Sequence, residues 1–219
     1  MKKFLSERAL SMPTLIFYFF VAIILTSCRK EEDDNILTDS RDGEVYSTVK
    51  IGNQIWMAEN LRYYTSRSYL NPDNPDPIYG RLYDWATVMD VDSRYNTTVW
   101  SGSDIKHRGI CPIGWHVPND REWTELIDYL GGPAIAGTKL KSDFDWNGSN
   151  SSGFDAVPAG RYSRSDNDFR ELYDWAEFSS ATNDPSSGRS FSYYLDGGSE
   201  VSSNRSGKGA GCSCRCIKD

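Results

Sequence analysis

Residues Leu15 to Leu25 form an apolar run without a single charge, and what that run can do constrains everything after it. Its 11 residues make about 16 Å of helix at 1.5 Å each. A bilayer core of about 30 Å needs roughly 20 residues, so this run is too short to span. Lys2, Lys3 and Arg8 precede it and small residues follow, which is the layout of a secretory signal peptide over residues 1–27. The fold therefore has to be sought in the rest of the chain.

The end of that segment narrows the reading. Leu25-Thr26-Ser27-Cys28 resembles the lipobox of bacterial lipoproteins, in which a peptidase cuts before a cysteine that carries a diacylglyceryl group. The resemblance implies lipidation at Cys28. Each buried methylene of such an anchor contributes about 0.8 kcal/mol, and two or three chains hold a protein stably where one does not. Residues 28–43 contain Glu31-Glu32-Asp33-Asp34, which repels itself and offers little to bury, so an acidic disordered tether is predicted there. The acidic run after the cysteine also resembles the surface-export signal of Bacteroidetes lipoproteins. That implies an outer-membrane lipoprotein displayed at the cell surface; a plain spacer on a periplasm-facing protein is the alternative.

Loss of residues 1–27 removes three of 24 basic and one of 31 acidic side chains, leaving 21 against 30 and a net charge of −9. Nucleic acid and anionic membrane surfaces need positive potential and are poor partners for such a chain. Contact with the membrane falls to the lipid. The 7 Trp, all beyond Cys28, and the 13 Tyr supply ample core material. Four further cysteines follow: Cys111, Cys212, Cys214 and Cys216. The last three alternate in what reads as a terminal strand and share one face. An oxidising compartment permits disulfides, and Cys111 with one of the three is the plausible long bridge.

Folding is predicted from about Glu44 to Asp219. Val45–Met57 reads as a hairpin around Gly52-Asn53. A short helix is predicted over Arg81–Met89. At Val117–Gly132, Asn119 and Glu122 form a capping-box pair, Trp123, Leu126, Ile127 and Leu130 share one face, and Gly131-Gly132-Pro133 stops the helix. Beyond a turn or two of helix over Ala134–Lys141, short strands are predicted at Phe154–Val157, Phe191–Leu195 and Gly211–Lys218. The order of elements suggests α+β. Leu82-Tyr83-Asp84-Trp85-Ala86 recurs as Leu172-Tyr173-Asp174-Trp175-Ala176, without flanking similarity and so without a duplicated domain.

Six blocks in order resemble one family, the Fibrobacter succinogenes major paralogous domain. They are Val49–Leu61, Tyr79–Ala86, Gly109–Trp123, Ala136–Ser142, Gly153–Gly160 and Arg215–Asp219, the third reading Gly109-Ile110-Cys111-Pro112-Ile113-Gly114-Trp115-His116-Val117-Pro118 at its start. The family looks like a distant relative of C-type-lectin-like domains and of the formylglycine-generating-enzyme fold. The resemblance implies a single C-type-lectin-like α+β domain over residues 44–219, with short strands, one long amphipathic helix and much irregular loop. It also implies a Cys111–Cys216 disulfide. Cys212, Cys214 and Phe178-Ser179-Ser180-Ala181-Thr182 depart from the family pattern.

No catalytic constellation is found. His116 reads as a hydrogen-bonded structural residue, and Asp143 and Asp145 as solvated. Cys212 and Cys214 as thiolates in a cleft would bind a soft metal, giving a degenerate modifying enzyme as one alternative and a purely structural envelope lipoprotein as another. The lectin calcium pattern is absent, Trp146-Asn147-Gly148 is a poor substitute, and Asp166 and Asp168 are weak candidates for a calcium site. The expectation is a module without catalytic residues or cofactor, binding a glycan or a surface protein through exposed Tyr162, Tyr173 and Trp175.

Overall fold

The computed structural model describes residues 35–144 and 146–219. Strand β1 (Ile36–Thr38) pairs antiparallel with β2 (Val45–Ile51) across a turn in which Asp39 accepts the Arg41 guanidinium at 2.6 Å. Regular structure is thus present from Ile36, inside the span predicted as a tether, which corrects that prediction over residues 36–43 alone. Leu37 is buried beside Tyr46, and an ion pair holds the turn. The signal segment, Cys28 and the acidic run lie outside the described residues.

Strand β2 and β3 (Gln54–Met57) form the predicted hairpin, with Ile51 opposite Gln54 and Gly52 at φ 60° in the left-handed position the turn requires. Alternation sends Val49, Ile51 and Trp56 to one core and Tyr46 and Met57 to another, so this sheet is covered on both faces. Strand β4 (Ser68–Tyr69) pairs with β5 (Leu82–Tyr83), and α1 (Trp85–Val88) is a single turn. The helix predicted from Arg81 starts later because the Asp84 carboxylate caps the Thr87 amide at 2.8 Å, while Tyr83 exchanges backbone bonds with Cys212.

From β6 (Trp115–His116) the chain enters α2 (Asp120–Tyr129), whose capping box joins Asn119 and Glu122 and whose Trp123, Leu126 and Ile127 are buried. This helix has 10 residues, an ordinary length; it is amphipathic but not the long helix predicted. Gly131 and Gly132, at φ 102° and 94°, turn the chain, and Pro133 opens α3 (Pro133–Leu140).

Mostly strands follow. β7 (Arg161–Ser163) and β8 (Asp168–Arg170) form a hairpin; β9 (Ala176–Asn183), β10 (Ser190–Leu195) and β11 (Ser202–Ser206) form an antiparallel sheet; β12 (Ile217–Lys218) closes the chain. The larger sheet has the order β1-β2-β3-β12-β6. Phe154–Val157 is not a strand: only Ala156 makes a bridge, since Asp155 at φ 54° breaks the extended path. The predicted strand Gly211–Lys218 is likewise only partly regular. Gly211, Cys212 and Ser213 bridge singly to Tyr162, Tyr83 and Phe178 before β12 begins.

This is an α+β arrangement of short strands and short helices around two large cores and a small third cluster of Leu82, Ala159 and Tyr162. The first gathers Trp56, Trp123, Phe154, Phe178 and Tyr193, with Trp123 4.8 Å from Trp56 and 4.9 Å from Tyr193 between ring centroids. The second gathers Tyr46, Met57, Tyr83, Trp85, Cys111, Cys214 and Cys216. Arg215, 1% exposed, lies over Phe154 and Phe178 at 4.4 and 5.4 Å. Its guanidinium donates to Asn60 Oδ1 at 2.9 Å, to the Asp155 carbonyl at 2.7 Å and to the Phe154 carbonyl.

Candidate functional site

Three loops converge on one groove. Trp146-Asn147 follows α3, Glu171–Trp175 joins β8 to β9, and Asp196-Gly197-Gly198 follows β10. They are tied by Lys141, a buried residue whose ammonium donates to the Asp196 and Gly198 carbonyls at 2.7 and 2.5 Å and sits 5.2 Å from the Trp146 ring centroid. Trp146 Nε1 in turn donates to the Asp174 carbonyl at 3.2 Å. Between them the loops leave an open groove of about 600 Å³.

The groove presents aromatic faces and carboxylates together. Tyr173 is 57% exposed, and Trp175 is half-buried, stacked on Tyr194 at 5.5 Å and 19°. Asp174 and Asp196 are exposed, and Glu171 pairs with Arg161 at 3.0 Å. Asn147, Glu171 and Tyr173 hold φ of 52°, 54° and 71°. An aromatic residue in that region costs on the order of 1 kcal/mol, and such positions cluster where a surface is shaped for a ligand. The Tyr173 amide is secured by the Pro158 carbonyl at 3.0 Å, which keeps the ring outward.

Of the three aromatics predicted to be exposed, the groove contains Tyr173 and Trp175 but not Tyr162. Tyr162 is 7% exposed, stacked on Tyr69 at 3.8 Å, and its hydroxyl donates to Asn167 Oδ1 at 2.7 Å. It is a core residue, because Gly211 pairs with it and closes that side. Sequence reading weighed Trp146-Asn147 only as a poor calcium motif and passed over Glu171, Asp174 and Asp196 as groove residues. The Tyr-Asp-Trp echo is the one local signal that pointed toward them.

The remaining candidates lie elsewhere. Asp166 and Asp168 sit on the exposed β7–β8 turn; Asp166 takes the Ser163 hydroxyl at 2.6 Å and the Arg170 guanidinium at 2.6 Å, and these hold its carboxyl below the usual range. No third carboxylate joins the two among the described residues. His116 is clasped between Glu122 Oε1 at 2.8 Å and Asp219 Oδ1 at 2.7 Å. His107 Nε2 bonds the Met89 carbonyl at 2.7 Å. Cys111 and Cys216 are joined, while Cys212 and Cys214 are free and buried. Burial pushes the Cys214 thiol up to about 12 and Cys212 well above its ordinary value.

A second groove, of about 980 Å³, runs beside β2 between Val49, Leu70, Pro77 and Ile78. Of its two arginines, Arg62 is paired with Glu44 at 2.9 Å and Glu59 at 2.6 Å, and Arg81 donates to the Ser68 hydroxyl at 2.7 Å.

Compared with known families, residues 49–218 match the Fibrobacter succinogenes major domain. The chain belongs to that family. No curated protein and no solved structure matches it. The match to the Fibrobacter succinogenes major domain runs from within β2 to the end of β12, and so includes the first core, the disulfide, the groove-forming loops and the second core apart from Leu37 and Tyr46.

Proposed function

We propose that this protein is a lipid-anchored envelope module that binds glycans, without catalysis, through the groove at Tyr173 and Trp175. The observation that carries the reading is the exposure of Tyr173 on a strained backbone beside Trp175 and the exposed carboxylates of Asp174 and Asp196. Sugar rings offer apolar C–H faces that stack on aromatic rings and hydroxyls that donate to carboxylates and amides, which are the groups the groove presents. Asp174 and Asp196 set its charge, since Glu171 is paired with Arg161 and Lys141 is spent on carbonyls beneath. A neutral or basic sugar suits it better than a sulfated or uronic one.

The anchor is the lipid on Cys28. Six residues lie between it and Asn35, and the seven steps at about 3.5 Å each reach no further than roughly 25 Å. Display at the outer surface of the outer membrane follows from the acidic run after Cys28, and a distant C-type-lectin-like kinship suits a disulfide that joins the segment before α2 to the terminal strand. The thiol-enzyme alternative finds little support, because Cys212 and Cys214 are buried with raised pKa values.

Immobilised neutral oligosaccharides should retain the wild-type domain and fail to retain Tyr173→Ala. Retention of the variant, or of neither, would count against the groove. Protease shaving of whole cells should remove the domain if it faces outward. A second reading, a protein partner in the larger groove, is favoured by Ile78, 52% exposed beside Leu70 at 41%. Its test is Ile78→Asp in a surface pull-down, which should lose the partner.

A further inference from the structure

Three cysteine sulfurs meet in the second core, although a disulfide uses only two. The Sγ atoms of Cys111, Cys214 and Cys216 all lie within 4.8 Å of one another, and all three residues are buried. The backbone fixes this meeting. Met57 N donates to the Cys216 carbonyl at 3.0 Å and Leu61 N to the Cys214 carbonyl at 2.9 Å, so both cysteines are held in register beside β3. Cys111 arrives from the other side, before β6, where Arg41 Nη1 holds the Ile110 carbonyl at 2.7 Å. A fourth sulfur is adjacent: Met57 Sδ accepts the Cys216 amide at 3.3 Å. Cys212 belongs elsewhere, bridging to Tyr83 outside this cluster.

A staple needs no third thiol, and a small apolar residue would fill the Cys214 position as well. Three convergent sulfurs in a water-excluded apolar pocket are instead a soft-donor set, and soft donors select soft cations such as Cu(I) and Cd(II) over hard ones. We infer that Cys111, Cys214 and Cys216, once the disulfide is reduced, form a trithiolate site for a soft thiophilic cation. The inference is independent of the glycan reading, since none of the three cysteines lines the groove.

The chemistry balances in two stages. A dithiol reductant supplies two electrons and two protons; the Cys111–Cys216 S–S bond breaks, two S–H bonds form, and the reductant leaves as a disulfide. The three thiols then exchange their protons for the cation, three S–metal bonds form, and three protons are released. The positions of the sulfurs are set by β3 and by the Arg41 contact, so little ordering remains for the metal to impose.

The test uses the full chain, reduced anaerobically with dithiothreitol, freed of it by gel filtration and titrated with Cd(II). Far-ultraviolet circular dichroism monitors the fold, and the thiolate-to-cadmium charge-transfer band reads binding. Wild type and Cys212→Ser should saturate with one cadmium per chain, the oxidised chain should show no such band, and Cys214→Ser should bind about tenfold more weakly or worse. If Cys214→Ser loses its fold, Cys214→Ala takes its place, being the better fit to an apolar pocket. A reduced, folded wild type without the band would overturn the inference. So would equal binding by the Cys214 variant, or a reduced chain that no longer folds.

Discussion

Replacing Arg215 by lysine isolates the value of guanidinium geometry at the centre of the domain. The charge is kept, so to first order its burial cost cancels, and what changes is the number of bonds the head group makes. Arg215 donates to Asn60 Oδ1, the Phe154 carbonyl and the Asp155 carbonyl while its plane covers two phenyl rings. A lysine ammonium is a point donor on a different reach and satisfies one of these three acceptors well. Two charge-assisted bonds at about 1.5 kcal/mol each are lost, roughly 3 kcal/mol in all. The more strongly hydrated ammonium adds to that loss. With a urea slope near 2 kcal/mol per M, the unfolding midpoint should fall by about 1.5 M, followed by circular dichroism. A fall of less than about 0.5 M would show that the fork and its stacking do not hold the Phe154 loop to the terminal segment.

Other perturbations have definite signs. Burial disfavours the charged form of His116, but the hydrogen bonds and charges of Glu122 and Asp219 outweigh it and raise its pKa above 6.5. That stabilisation is therefore complete below the unfolded value and lost as pH rises through the folded one. The melting temperature of wild type should fall relative to His116→Gln as pH rises from about 6.5 through the raised folded value, and parallel profiles would contradict the clasp. The Cys111–Cys216 bridge closes a separation of 105 residues, so Cys111→Ala with Cys216→Ala should cost about 4 to 5 kcal/mol by denaturant titration; a loss under about 1 kcal/mol would deny the bridge its chain-entropy role. Iodoacetamide should label Cys212 and Cys214 only in denaturant, read by tryptic mass mapping, since cleavage after Arg215 separates Cys214 from Cys216. Labelling of the native domain would contradict their burial.

What could be read directly from residues was local. The Asn119 and Glu122 pair and the apolar positions of α2 carry their meaning within one turn, as does Gly52 in the first hairpin. Strand β9 carried no such signal: both of its faces are buried over Ala176–Ala181, so Glu177, Ser179 and Ser180 replace the usual alternation. The repeated Leu-Tyr-Asp-Trp-Ala shows the same lesson. In the first copy Asp84 caps α1 and Tyr83 is fully buried; in the second the backbone turns left-handed at Tyr173, which is exposed. Tertiary surroundings, not the pentapeptide, decide which. The groove itself was illegible because its parts lie at residues 146–147, 171–175 and 196–198 and meet only through the bonds of Lys141.

The glycan reading rests on ligand contact at one pair of aromatic side chains, and indole N–H resonances report that contact directly. On titration with a neutral oligosaccharide that the immobilised-glycan assay retains, the Trp175 and Trp146 signals should shift while those of buried Trp56 and Trp123 stay in place. Shifts confined to indoles outside the groove, or none with any oligosaccharide, would contradict it.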